Sequence, residues 1–400
     1  MELQRPSGFI GLLGKAEEKN MSENGKTGGR QSNLELFRIL TMILIIAHHY
    51  VIRSGLSAQD GPISANPTSL HALLTLFFGA FGKTGINCFV LITGYFMCEK
   101  NISARKFLRL LAEVMFYQIV ILGIFWITGR EKPTVDNILN YFLPVRELSD
   151  GFVGAFLVFF LCIPFLNVLV HHMSEKQHVR LMALLGFAYI FLGTFRPVFD
   201  VDMNYATWFC VLYIIASYIR LYPKKCFDSV KRWRWIAFAC ATVSMLSVAA
   251  CAFAATRIGK PVYYWFVTDC NTLLAVLTAV SSFLFFKNLR IPQSRIINTI
   301  AGTTFGVLLI HGHGDAMCRL LWYDILDGIG NYSSPAAYIH PILSVLSVFI
   351  VCAVIDLLRI QLIEKPFLRW ADKKLPGITE RWQRLEEKFF RKCHIGYSDQ

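Results

Sequence analysis

The chain has 400 residues, 54% of them hydrophobic and 17% charged, with a mean hydropathy of +0.47 and a formal net charge of +13. A soluble domain carries about a quarter of its residues charged, so this composition excludes an ordinary water-soluble fold. The apolar runs are continuous, without the period-two alternation of a membrane β-barrel, and the basic residues lie in short clusters between them, which argues against nucleic acid as a partner.

The fold class that remains is all-α: a polytopic bundle of transmembrane helices, each needing about 20 mostly apolar residues. Residues 1–32 are polar, Gly-rich and mixed in charge. They lack the apolar core and small-residue cleavage site of a signal peptide and are expected to be a disordered cytoplasmic segment, with translation beginning at either Met1 or Met21. Apolar runs then follow at 36–53, 72–97, 107–128, 152–171, 181–195, 205–221, 235–256, 264–286, 299–321 and 338–362, which predicts about ten spans, the fifth of them short. With the N-terminus inside, the cytoplasmic segments hold 29 Lys and Arg and the opposite connections 9. That bias puts both termini in the cytoplasm of a multi-pass cell-membrane protein. Residues 33–370 form the membrane domain and 371–400 a basic cytoplasmic tail. Its stretch ITERWQRLEEKFFRKCH reads equally as an amphipathic helix on the lipid surface or as a solvated tail. The eleven cysteines include no CxxC pair, so neither disulfides nor a zinc site are expected.

The first run, RILTMILIIAHHYVIRSG, holds the most informative residues. Arg38 and His49 are eleven positions apart, which puts them on one helix face within about 20° and separates them by about 16 Å along the axis. His48 points about 100° away from His49. Glu35 precedes Arg38 by three residues and can pair with it. An imidazole inside a span is costly unless it faces the protein interior or a water-filled cavity. There it serves either as a general base or as a partner in an interhelical hydrogen bond. After the second run, NISARKFLRLL places Arg105, Lys106 and Arg109 at the start of the third span. They read as a phosphate clamp, since guanidinium binds phosphate through a planar fork, or as a positive-inside anchor. The HGH at His311–His313, beside Asp315, has metal-ligand spacing but no third ligand, so no metal is expected. A polar pair near the outer end of its span is the expectation. His171, His172 and His178 are expected to be solvated in a cytoplasmic loop. Glu147, Asp150, Asp200 and Asp202, in outer connections, meet either a sugar hydroxyl or water.

Four segments resemble the integral-membrane acyltransferase family 3, the multi-span O-acyltransferases of bacterial surface glycans: LELFRILTMILIIAHHY, with Arg38 and His49; GINCFVLITGYFM, ending in Thr93, Gly94 and Tyr95; the basic ARKFLRLL; and the late TFGVLLIHGH and LIEKPFLRW. The likeness runs from about residue 33 to 370. It implies an acyl-CoA donor, usually acetyl-CoA, no tightly bound cofactor, and transfer to a hydroxyl of an envelope carbohydrate. By position His49 becomes the catalytic base and Arg38 its required partner, while Arg105 and Arg109 contact the CoA phosphates. Lys106 stands where the family often has a second arginine, Ile39 replaces a common glycine, and His48 has no fixed counterpart. Direct attack on the thioester is the first choice of mechanism and an acyl-histidine intermediate the alternative. Polysaccharide, teichoic-acid-like polymer, lipid-linked sugar and antibiotic sugar all remain open as acceptors. A transporter or flippase is the rival reading, but no paired broken helices recur in two halves. A receptor or scaffold gives the buried polar residues no common purpose.

Overall fold

A computed structural model describes residues 30–100, 102–132, 134–145, 151–195, 198–199 and 203–374, which form helices joined by turns, with no strand among them. Residues 1–29, Glu147, Asp150, Asp200, Asp202 and the tail from 375 onward lie outside the described residues.

Among the described residues, six helices are long and apolar enough to cross a bilayer. They are α1 (Ser32–Arg53), the pair α2 (Leu70–Gly79) and α3 (Gly82–Met97) taken as one span, α4 (Ala104–Ile127), α5 (Phe152–His172), then α7 (Val230–Ile258) and α10 (His340–Arg359), the last continuing to Ala371. Two apolar helices are shorter, α6 (Tyr205–Leu221) and α8 (Leu273–Asn288). The remaining two apolar runs are subdivided. Residues 181–195 are shared between a helix at Glu175–Leu185 and a wider π-type turn at Gly186–Phe191, and 299–321 is interrupted at Gly302 and Gly312, which leaves α9 (Thr304–His311) only eight residues long.

The first helix is central, packing against α2, α3, α8, α9 and α10. Because lipid tails are as apolar as leucine, close packing and interhelical hydrogen bonds must hold such helices together. The sequence supplies both. Gly79, Gly82 and Gly85 line the side of α2 and α3 that meets α1, and they meet it in antiparallel order. A Cβ added to them would lie 2.8 Å from Val51 Cγ2, 2.2 Å from His48 Cβ and 3.0 Å from the Thr41 carbonyl oxygen, respectively. Deeper in the bundle, Asn87 donates to the Cys270 carbonyl at 2.7 Å and accepts from the Trp208 indole at 2.9 Å, tying α3 to α6 and to the turn before α8.

Substituting Gly82→Ala inserts a methyl group where His48 already sits. Overpacking costs about 1–3 kcal/mol, so a lower midpoint of thermal unfolding in detergent is expected. The same change at Gly123, which has nothing within 4 Å of an added Cβ, leaves the midpoint in place.

Candidate active site

The two adjacent histidines of α1 do different work. Nδ1 of His48 donates to the Gly79 carbonyl oxygen at 2.8 Å, across the glycine seam, so His48 is the interhelical hydrogen bond that the residue type allows. His49, turned about 100° from it, meets α9 instead. Its ring centroid lies 5.2 Å from that of His311 and 6.3 Å from that of His48. His311 is fully buried, and its Nδ1 donates to the Val307 carbonyl one helical turn back at 2.6 Å. Two buried ring nitrogens in this pair, Nδ1 of His49 and Nε2 of His311, have no hydrogen-bond partner. The next residue of α1, Tyr50, pairs its hydroxyl with Nδ1 of His340 at 2.9 Å, which links the adjoining face to α10.

Three turns back, Arg38 donates from Nη1 to Glu35 Oε2 at 2.9 Å, and its guanidinium lies 6.0 Å from the Phe89 ring centre. Glu35 itself is only 4% exposed, so the pair is held against the protein interior. A cleft of about 530 Å³ opens beside the start of α1, lined by Ser32, Asn33, Arg290 and Gln293. It lies about 25 Å below the imidazoles by helical rise, so it marks the mouth of the bundle rather than the site of chemistry.

Arg105, Lys106 and Arg109 occupy the first two turns of α4, all exposed. Arg109 is not an isolated cation, for its Nη2 forms an ion pair with Glu364 Oε1. The helix that carries this rim packs against α9 and so shares a neighbour with the histidine pair. His313 stacks on Tyr141 with centroids 5.3 Å apart rather than joining His311, and among the described residues no three His, Cys, Asp or Glu side chains converge as metal ligands.

A family model described as an acyltransferase domain, that of acyltransferase family 3, matches residues 31–357. The chain belongs to this acyltransferase family. No curated protein and no solved structure matches it.

The apolar helices of spanning length and the matched domain together make this a membrane acyltransferase. Its shared segments have structural reasons. Gly94 lets α6 approach, since a Cβ there would lie 3.0 Å from Ala216 Cβ, and Tyr95 accepts from Arg220 Nη1 at 3.1 Å. The closing Glu-Lys-Pro follows a π-type turn at Ile360–Glu364. That wider turn brings residues five apart together, and Arg359 Nη1 meets Glu364 Oε2 at 2.7 Å.

This last pair belongs to a buried ionic cluster that sequence reasoning missed in the acyltransferase. Arg359, 7% exposed, also donates to Asp356 Oδ1 at 2.8 Å and to Glu113 Oε1 at 2.9 Å, and Tyr117 donates to the same Asp356 oxygen at 2.7 Å. Glu113 and Tyr117 follow Arg109 on α4 at intervals of four, one face of that helix. Asp356 lies against Gly306, where an added Cβ would be 2.2 Å from its Cγ. Gly306 is five residues, about 7.5 Å of helical rise, before His311. A polar chain therefore runs from the exposed Arg109 through Glu364 and Arg359 to the foot of the helix that bears His311. The signal was present: carboxylates at 113 and 356 inside apolar runs need a partner.

The expectation of solvated histidines at the 171–178 turn is corrected at one position. His178 is fully buried and its Nε2 donates to the Ile214 carbonyl at 2.9 Å, whereas His171 is exposed, with its Nε2 donating to the Cys98 carbonyl at 2.8 Å. Carbonyls at helix C-termini lack intrahelical donors, and His171 supplies one to the end of α3.

Proposed function

We propose that the chain is an O-acyltransferase of the cell membrane, with both termini cytoplasmic, that moves an acyl group, acetyl in the first instance, from cytoplasmic acyl-CoA to a hydroxyl of an envelope carbohydrate. The observation that carries this reading is His49: inside an acyltransferase domain, a half-buried imidazole sits on the central helix with a ring nitrogen unpartnered. Arg38 and the rim of Arg105, Lys106 and Arg109 lie toward the basic ends of α1 and α4, where a polyanionic donor would arrive. The long pantetheine arm spans the distance between rim and imidazole.

In the reaction the acceptor hydroxyl gives its proton to a neutral His49 as its oxygen attacks the thioester carbonyl carbon. The tetrahedral intermediate collapses, the C–S bond breaks, and the imidazolium returns the proton to the departing thiolate. The products are an ester and free CoA. Arg105, Lys106 and Arg109 are together assigned to the donor phosphates, and Arg38, paired with Glu35, is assigned as the required partner of the base on the first helix.

The test is release of free thiol from acetyl-CoA by the purified protein in detergent or proteoliposomes. Slow release without acceptor is expected, and its absence under conditions that preserve the fold would overturn the enzymatic reading in favour of transport. In the Arg105→Ala/Lys106→Ala variant the donor KM should rise about tenfold, the scale of one or two lost charge-assisted hydrogen bonds. A fall in kcat alone, with KM unmoved, would remove both residues from donor binding.

A further inference from the structure

Beside His49 stands a second histidine whose chemistry is set by its backbone contact. The Val307 carbonyl can only accept, so the 2.6 Å bond fixes the hydrogen of neutral His311 on Nδ1 and leaves Nε2 as a bare lone pair. That lone pair is buried in a residue with no solvent exposure and has no donor. A buried acceptor without a donor is costly, and the ring facing it, at 5.2 Å between centroids, is that of His49, whose own Nδ1 is buried and unpartnered.

We infer that His311 is a positioning residue for the base: its Nε2 accepts the Nδ1 hydrogen of His49. The centroid separation leaves these two nitrogens within reach of a hydrogen bond of about 3 Å after rotation of the His49 ring, and catalytic hydrogen bonds commonly tighten only when substrate is bound. The consequence is a defined tautomer. With hydrogen on Nδ1, the His49 lone pair is on Nε2, ready for the hydroxyl proton. When His49 becomes imidazolium, the acceptor on His311 stabilises the charge. This is the orienting duty that a carboxylate performs in a serine-protease triad, carried out here by a neutral group. A carboxylate in its place would be a full negative charge in a membrane interior. The other titratable or charged groups acting on His49 are His48, Arg53 and Lys83. Of these, His48 also keeps a lone pair on Nε2, its Nδ1 hydrogen being bonded to Gly79, but its ring lies farther from His49, 6.3 Å against 5.2 Å between centroids, and the other two are cations.

The inference rests on the proposal that His49 is the base, and its test separates the two. Thiol release from acetyl-CoA is measured against pH for the wild type, His49→Ala, His311→Phe, His311→Gln and His311→Asn, each checked for a monodisperse peak and unchanged unfolding midpoint in detergent. Gln places an amide oxygen where Nε2 stood, Asn places it nearer the Nδ1 position, and Phe keeps the ring without an acceptor. Expected are a fall in kcat of about 100-fold for His311→Phe with donor KM within about twofold, recovery to within about tenfold for His311→Gln, and no recovery for His311→Asn. The acid limb of the His311→Phe profile should move to lower pH, because loss of a hydrogen bond to the charged form makes His49 less basic. Wild-type kcat in His311→Phe, or Gln and Asn variants that behave alike, would overturn the positioning role while a dead His49→Ala leaves the base in place. Full activity in His49→Ala would overturn the base itself. Should His311→Phe fail to fold, the contrast between Gln and Asn decides the matter alone.

Discussion

With His49 as the proposed base, His49→Ala is expected to lower kcat for thiol release and acyl transfer by roughly 10²–10⁴, the span attributed to a positioned general base. The folded fraction and the affinity for a non-hydrolysable CoA analogue stay as they are, because the residue makes no hydrogen bond at Nδ1 that the fold depends on. Steady-state rates together with equilibrium binding of the analogue check both halves. His48→Ala provides the contrast. It removes the hydrogen bond to Gly79, so its main effect is on stability, about 1 kcal/mol, and most of the turnover survives. The proposed mechanism needs a neutral His49, so activity is expected above its apparent pKa and should be lost as pH falls through it. Turnover in His49→Ala equal to wild type would end this mechanism.

Arg359→Leu produces the largest loss of stability. Its guanidinium meets Glu113, Asp356 and Glu364 together, and removing it leaves three carboxylates in a site with little water. Breaking one buried pair by deleting a partner costs about 3–5 kcal/mol, and here Glu113 and Asp356 lose their counter-charge while Glu364 is left with Arg109. Thermal unfolding in detergent should show a strongly reduced midpoint, and Arg359→Lys should recover little of it, since a single ammonium cannot reproduce the planar fork. Combining Arg359→Leu with Glu113→Gln should recover part of the loss by removing one stranded charge. A midpoint unchanged in Arg359→Leu would show that the cluster is hydrated and contributes nothing.

Hydropathy made most of the fold legible, because a span must satisfy its own backbone and be apolar for about 20 residues. It was least informative where apolar runs are broken. Residues 299–321 read as one span, yet glycines at 302 and 312 end helices there and isolate α9. At the site, helical periodicity placed Arg38 and His49 on one face and set His48 apart, and the hydrogen bond of His48 to Gly79 and the ring contact of His49 with His311 agree with that separation. Periodicity within one helix says nothing of which other helix faces it. The meeting of His49 with His311, 262 positions away, is a tertiary fact, as is the capture of Arg109 by Glu364. The acidic members of the Arg359 cluster are single carboxylates in or at the end of apolar runs, whereas the charges from which topology is read lie in the loops between them.

The three glycines facing α1 have a mechanical implication. They bring one flank of the histidine helix to backbone contact, so that flank has no slack to yield when a ligand enters. The flank about 100° round from it, at His49, is met by α9, a helix of eight residues interrupted at both ends. Compliance in this protein is therefore one-sided: the wall carrying His49 is stiff, and any widening beside it must come from displacement of the short helix, carrying His311 with it.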